Sequence, residues 1–260
     1  MTEQKAKPYS DKLAKLVKHD HLRPPKILVA GEHGIGKTRF AAGGGDKTVF
    51  IPTEDGLGTL NVASFDVCKT YDDFLDAMNM VIEEDHSWTT VVIDSADWLD
   101  KLICEHLCVK HNKEDITTFG FGDGYKKVEA CWRDVTNLCD KANARGMTII
   151  FIVHTGVENR QDIINGNYQR TGLKMMKGSA SVISEWCDII LHALIDIRVT
   201  TERDSFGNEK GRAVTVGDPF LLTIGGPTIA AKNRYGLPER LPLDWQAFRQ
   251  AFAKSIKNRG

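Results

Sequence analysis

One stretch constrains this chain more than any other: Gly31-Glu32-His33-Gly34-Ile35-Gly36-Lys37-Thr38 satisfies the pattern G-x-x-x-x-G-K-[ST] in full. The apolar run Ile27-Leu28-Val29-Ala30 enters it, and a helix-compatible segment from Thr38 to Ala42 leaves it. A strand that turns through glycines into a helix offers backbone N–H groups and the positive end of a helix dipole to an anion. The motif therefore predicts a polyphosphate cradle, with Lys37 on the outer phosphates and the Thr38 hydroxyl on Mg²⁺. Arg39, directly after, is counted with the loop.

The rest of the composition narrows the setting. A chain of 260 residues has room for one large α/β domain with short appendages. No run is apolar enough to span a membrane, and the N-terminus is too polar for a signal peptide. A net charge of −1 excludes a global basic field, so nucleic-acid contact has to come from local patches. The six cysteines include no C-x-x-C pair, which points to a reduced, cytoplasmic compartment. Cys104, His106, Cys108 and His111 fall together on a predicted helix and suggest a metal only weakly; half-buried thiols beside solvated imidazoles explain them.

Three regions follow from the texture of the chain. Residues 1–25, lysine-rich and closed by Pro24-Pro25, read as an arm with a short helix from Tyr9 to Lys18. Residues 26–242 read as an α/β core, and residues 243–260 as a basic helix and tail. Apolar, β-branched runs at 27–30, 48–51, 91–93 and 148–153 suit strands buried on both faces of a parallel sheet. Between them, Asp72 is expected to cap a helix bearing Phe74, Met78 and Val81, and Gly146 to end one bearing Val128, Trp132 and Val135. Beyond Trp186, runs at 189–199 and 213–216 flank Asp204 to Asn208, a predicted hairpin turn, and short strands are expected at 220–224 and 228–231. Asp244 is expected to cap a last helix. The whole predicts a mainly parallel twisted sheet flanked by helices, with antiparallel strands on its C-terminal side.

In such a sheet, ligands sit beyond the carboxyl ends of the strands. Three strand ends carry polar groups. Thr90 to Ile93 ends in Asp94, expected to serve Mg²⁺ by holding a metal-bound water opposite Thr38. Val49-Phe50-Ile51-Pro52-Thr53 ends in Glu54, placed to activate a water. Ile149 to Val153 ends in His154, which can hydrogen-bond a phosphate oxygen. Plain helix capping, a solvated turn and a backbone-satisfied imidazole are the respective structural alternatives.

These residues resemble the RecA-type branch of P-loop ATPases. The branch likeness rests on Phe50-Ile51-Pro52-Thr53-Glu54, similar to the segment that holds the catalytic glutamate of recombinases. Asp94 matches the Walker B aspartate, and His154 stands where RecA proteins carry a glutamine that senses the terminal phosphate. Ala231-Lys232-Asn233-Arg234-Tyr235-Gly236 resembles the K-x-R-x-G element whose basic residues reach a neighbour's ATP. Phage-encoded RecA-like ATPases, some acting in single-strand annealing, are most similar in size and motif order. The resemblance implies ATP with Mg²⁺, catalytic roles for Lys37, Asp94, Glu54, His154, Lys232 and Arg234, and self-assembly as a ring or filament. It also implies single-stranded DNA, and a single-strand binding protein, as partners in a host cytoplasm. The accessory domains of cellular recombinases are not expected, which argues against strand exchange.

Two segments are expected to act as mobile DNA-binding loops: 111–127, with Lys126 and Lys127, and 155–177, with Arg160, Tyr168, Arg170, Lys174 and Lys177. Rings that stack on bases and cations that follow phosphates suit single strands. Two other functions fit the same motif: a nucleotide-gated assembly or loader protein without DNA stimulation, and a nucleotide kinase. A kinase would need an arginine-rich lid, and none is evident.

Overall fold

Strand β1 (Lys26–Gly31) lies at the middle of the sheet because it is apolar on both sides: Leu28 and Ala30 face one layer, Ile27 and Val29 the other, and all four are fully buried. The computed structural model describes residues 23–258 apart from 163, 165 and 204–208. The helix expected at Tyr9 to Lys18, nearly all of the arm, and the turn at Asp204 to Asn208 lie outside the described residues.

Five further strands share the β1 direction or extend it: β2 (Thr48–Pro52), β3 (Ala63–Ser64), β4 (Thr90–Asp94), β5 (Thr148–Asp162) and β7 (Ile189–Arg203). With β6 (Gly166–Leu173), β8 (Glu209–Leu222), β9 (Lys232–Asn233) and β10 (Arg240–Pro242), they form a sheet of order β10-β8-β7-β1-β5-β4-β2-β3. Strands β6 and β9 join it off that path, on β5 and β7. The pairs from β7 through β3 are parallel, and β8, β9 and β10 are antiparallel additions. Mainly parallel, with antiparallel strands on the C-terminal side, is what the apolar runs predicted.

Helices cover both faces. On one lie α2 (Tyr71–Glu83), α3 (Ala96–Lys110), α4 (Asp123–Ala144) and α5 (Lys177–Trp186), packed through Phe74, Leu99, Trp132 and Ile183. On the other lie α1 (Lys37–Ala42) and α6 (Trp245–Lys257). Phe40 of α1 meets Trp245 and Phe248 of α6 edge-on, at centroid distances of 5.4 and 5.8 Å. That cluster clamps the helix that follows the glycine loop.

Several local expectations need correction. Helix α2 is capped by Thr70, not Asp72: Thr70 accepts from the Asp73 N–H, and the Asp73 carboxylate takes the Thr70 N–H in return. Residues 220–222 are the end of β8, and 228–231 supplies only a bridge from Ile229 to Thr171. Neither DNA-loop segment is a loop throughout. Lys126 and Lys127 lie in the opening of α4, because a short 3-10 turn at Gly120–Gly122 leads into the helix earlier than expected. Residues 155–173 are largely ribbon, β5 pairing antiparallel with β6 from Thr155↔Leu173 to Asp162↔Gly166.

Candidate active site

The glycine loop leaves β1 at Gly31 and enters α1 at Lys37. Gly34 and Gly36 hold φ of 74° and 108°, a region where a side chain would be strained, so both turns depend on glycine. Lys37 is buried, and its ammonium donates to the loop's own carbonyls, Gly31 O at 3.0 Å and Glu32 O at 2.8 Å. Burial lowers its pKa, opposed by the charges of Asp94, Asp97, Glu54 and Glu32. The lysine thus closes the loop on itself.

Asp94 ends β4, two strands from β1, and still reaches the loop: Thr38 Oγ1 donates to Asp94 Oδ2 at 2.8 Å. Burial pushes the carboxyl up to about 6, against the Thr38 hydrogen bond, which lowers it. Two adjacent oxygen donors in a sheltered place are what Mg²⁺ takes when phosphates and water complete its shell. Among the described residues, no group of three or more His, Cys, Asp or Glu side chains is arranged to hold a metal ion by itself. Of the Cys104, His106, Cys108 and His111 group, Cys104 donates to the Met176 sulfur and His106 lies 3.7 Å from Asp72.

Glu54 follows β2 and is fixed by a knot between two strand ends. The Thr53 hydroxyl donates to Ser95 O at 2.7 Å and accepts the Ser95 N–H at 2.9 Å, while Ser95 Oγ donates to Glu54 Oε1 at 2.7 Å. A carboxylate restrained on one oxygen keeps the other for a water.

His154 sits beside Gly31 in the β1–β5 register, on the strand that separates the glycine loop from Asp94. Asp97, near the start of α3, accepts the His154 N–H at 3.1 Å and takes Nδ1 at 3.0 and 3.1 Å. These bonds hold the Asp97 pKa below its usual value, although burial alone would raise it. Glu54 Oε1 is 3.8 Å from the same nitrogen. The His33 ring stacks on His154, centroids 3.6 Å apart and planes 17° off parallel. His154, partial desolvation, Lys37 and Lys174 all lower the His33 pKa, and Glu54 opposes them. The sequence pattern gives no sign of Asp97, Ser95 or Thr53 as site residues. An acid in the first turn of a helix is common for dipole reasons alone, so Asp97 carries no distinctive signal.

Loop and strand ends enclose a cleft of about 560 Å³. Its lining includes His33 through Arg39, Glu54, Asp94 and His154, so most of the expected site converges. Lys232 and Arg234 lie elsewhere. Lys232 pairs with Ile190, level with Leu28, and donates to Ser184 O and Glu185 O at 2.9 Å, capping α5. Arg234 meets Asp188 at 3.1 Å, toward the strand starts, the edge opposite the glycine loop. Within one subunit, neither reaches the cleft.

The expected DNA contacts divide. Lys127 pairs with Asp123 one turn back on α4, at 3.5 Å. On the β5–β6 ribbon, Tyr168 sits opposite Arg160, and Glu158 pairs with both Arg160 (3.0 Å) and Arg170 (3.2 Å). The Lys174 N–H binds His154 O at 2.8 Å, tying this segment to the strand that carries His154. Arg160, Arg170, Lys177 and Lys232 line a second cleft of about 550 Å³, floored by buried His192, whose Nδ1 lacks a partner among the described residues.

A parallel sheet whose central strand delivers a lysine-closed glycine loop to a magnesium-type carboxylate is the working part of a P-loop ATPase. The match to a family model described as an AAA domain covers residues 23–235, and the chain belongs to that family. Among solved structures it is similar to the RadB recombinase, at 16% identity and a TM-score of 0.41, over 74% of this chain and 87% of that one. It is also similar to the flagellar accessory protein FlaH from Methanocaldococcus jannaschii, at 13% identity and 0.36, over 81% and 90%. No curated protein matches it.

Proposed function

We propose that this protein is a RecA-type ATPase that works on single-stranded DNA in phage-type recombination, through annealing, or in replication, inside the host cytoplasm. The observation that carries the reading is the convergence of Lys37, Thr38, Asp94, Glu54 and His154 on one cleft at the strand ends. ATP would lie along Gly31 to Thr38 with its terminal phosphate toward Glu54 and His154. Mg²⁺, held by Thr38 and Asp94, would neutralise charge on the outer phosphates. Lys37 would leave its two carbonyls for phosphate oxygens. Glu54 takes a proton from the attacking water as the oxygen joins the terminal phosphorus in line, releasing ADP and phosphate; positioning and charge account for most of the rate.

Lys232 and Arg234 would complete a neighbour's site in a ring or filament, since neither reaches its own. Single-stranded DNA would follow the cations of the β5–β6 ribbon and the second cleft. The ribbon continues the strand that carries His154, so the state of the terminal phosphate can be felt by the DNA-facing segment. A single-strand binding protein would supply the strand.

ATP turnover measured with and without single-stranded DNA at low salt tests this, because phosphate contacts weaken steeply as salt rises. Stimulation by DNA is the expected result. Turnover indifferent to DNA contradicts it and favours a nucleotide-gated assembly or loader protein; phosphate transfer to a nucleoside would make it a kinase.

A further inference from the structure

We propose that His33 and Asp97 are positioning residues for His154: Asp97 grips its Nδ1 edge, His33 covers its ring face, and Nε2 alone is left to address the terminal phosphate. The inference rests on the reading of His154 as the contact to that phosphate.

His154 lies within β5, at the level where β5 leaves the parallel sheet for the β5–β6 ribbon. An imidazole there turns about two bonds. Asp97 removes that freedom, because one carboxylate takes both the backbone N–H and the ring Nδ1 of the same residue. A carboxylate only accepts, so the Nδ1 proton is committed to Asp97 and the tautomer is set. His154 lines the cleft, and with Nδ1 taken by Asp97 its Nε2 is the ring nitrogen left for a ligand there.

His33 adds the second constraint. It belongs to the glycine loop, is exposed to solvent, and lies over the His154 ring at 3.6 Å. A phosphate that reshapes the loop through its backbone N–H groups therefore moves the ring that covers His154. The loop and the sensing strand are linked by side chains as well as by the shared ligand. The charged groups around the pair are Asp97, Glu54, Lys37, Lys174 and Asp94.

The test is a mutant cycle on the full chain, read as kcat and KM for Mg-ATP together with affinity for ADP and for a thio-substituted, slowly hydrolysed ATP. His33→Ala should lower kcat by about tenfold to a hundredfold, the scale of a misplacement near 1 Å. ADP affinity should stay within about threefold, because the loop's backbone donors remain. His33→Phe should recover most of the loss, since it restores a flat ring over His154. Asp97→Asn should erase the preference for the thio-ATP over ADP. In a His154→Ala background, His33→Ala should cost nothing further, because both act through one ring.

Wild-type kcat in His33→Ala, or an undiminished His33→Ala loss in the His154→Ala background, overturns the proposal. Should Asp97→Asn lose its thermal transition, the His33 and His154 cycle decides alone, His33 being on the surface. A wild-type protein that binds but does not hydrolyse ATP would sink the ATPase reading of the site. The cycle would then be read in the ratio of thio-ATP to ADP affinity: a ratio unchanged by His33→Ala, or lowered as much with His154 absent as with it present, would overturn the proposal in the same way.

Discussion

The Thr38 hydroxyl donates a 2.8 Å hydrogen bond to Asp94 across an intervening strand, so the glycine loop and the β4 carboxylate are joined directly. The bond holds together the two oxygens around which the proposed Mg²⁺ would sit. It comes with a cost, because the carboxylate is buried.

That cost has a sign in pH. The Asp94 carboxyl is raised from 3.8 to about 6 by burial, so the folded form binds its proton more readily than the unfolded chain. Stability from this group is greatest at low pH and is lost as pH rises from 3.8 through about 6. Asp94→Asn removes the charge and keeps an acceptor for Thr38. Above pH 6.5 the nucleotide-free variant should be more stable than wild type, by about 2–3 kcal/mol at most. Its Mg²⁺-dependent turnover should nevertheless collapse. Thermal melts across pH 4 to 8 beside an ATPase assay check both halves; a variant less stable than wild type at pH 7.5 contradicts the burial account.

Glu54→Gln should retain ATP binding and lose turnover by about 10²–10⁴-fold, the range for removing a general base. Ser95→Ala releases one Glu54 oxygen, and its loss should be smaller, about tenfold. Single-turnover kinetics separates the chemical step from product release. A Glu54→Gln enzyme at full rate removes Glu54 from the chemistry.

Arg234→Ala should keep nucleotide affinity and lose turnover by about 10³–10⁵-fold, as for a finger supplied from outside the site. Mixing Arg234→Ala with Glu54→Gln subunits should restore part of the activity, because a mixed interface can hold an intact site and an intact finger. Two inactive proteins that stay inactive when mixed would show that Arg234 acts at home, beside Asp188.

Arg170→Ala and Lys177→Ala should each weaken single-stranded DNA binding across all sequences. Each should also flatten the dependence of log K on log salt by about 0.7, the value for one phosphate contact on a single strand. Binding titrations at several salt concentrations measure this. Unchanged affinity and slope in both variants would take the strand away from the second cleft.

Much of this is legible in the chain because it depends on local pattern. Ile27 to Ala30 and Val91 to Ile93 are buried on both faces, so they read as unbroken apolar runs; the first leads into the glycine loop and the second into Asp94. The β5–β6 ribbon is not legible in the same way, because it stands clear of the core. Its residues are mostly exposed or partly covered, without regular alternation, and mostly polar, so hydropathy gives no strand signal. The Asn165-Gly166 dipeptide, a strong hairpin marker, is the available hint. The separation of Lys232 and Arg234 from the glycine loop has no local signature at all. It depends on β9 running antiparallel to β7, a pairing between segments some forty residues apart. Asp97 is hidden for a similar reason: its partner is 57 positions away.

Calorimetry of the full chain with Mg-ATP, beside Lys37→Ala, tests the central claim most directly. The wild type should take up one nucleotide per subunit with a saturable heat, and Lys37→Ala, equally well folded by its thermal transition, should show little or none. Folded wild type that takes up no magnesium nucleotide, or Lys37→Ala that binds it as tightly, would contradict a triphosphate site at the glycine loop.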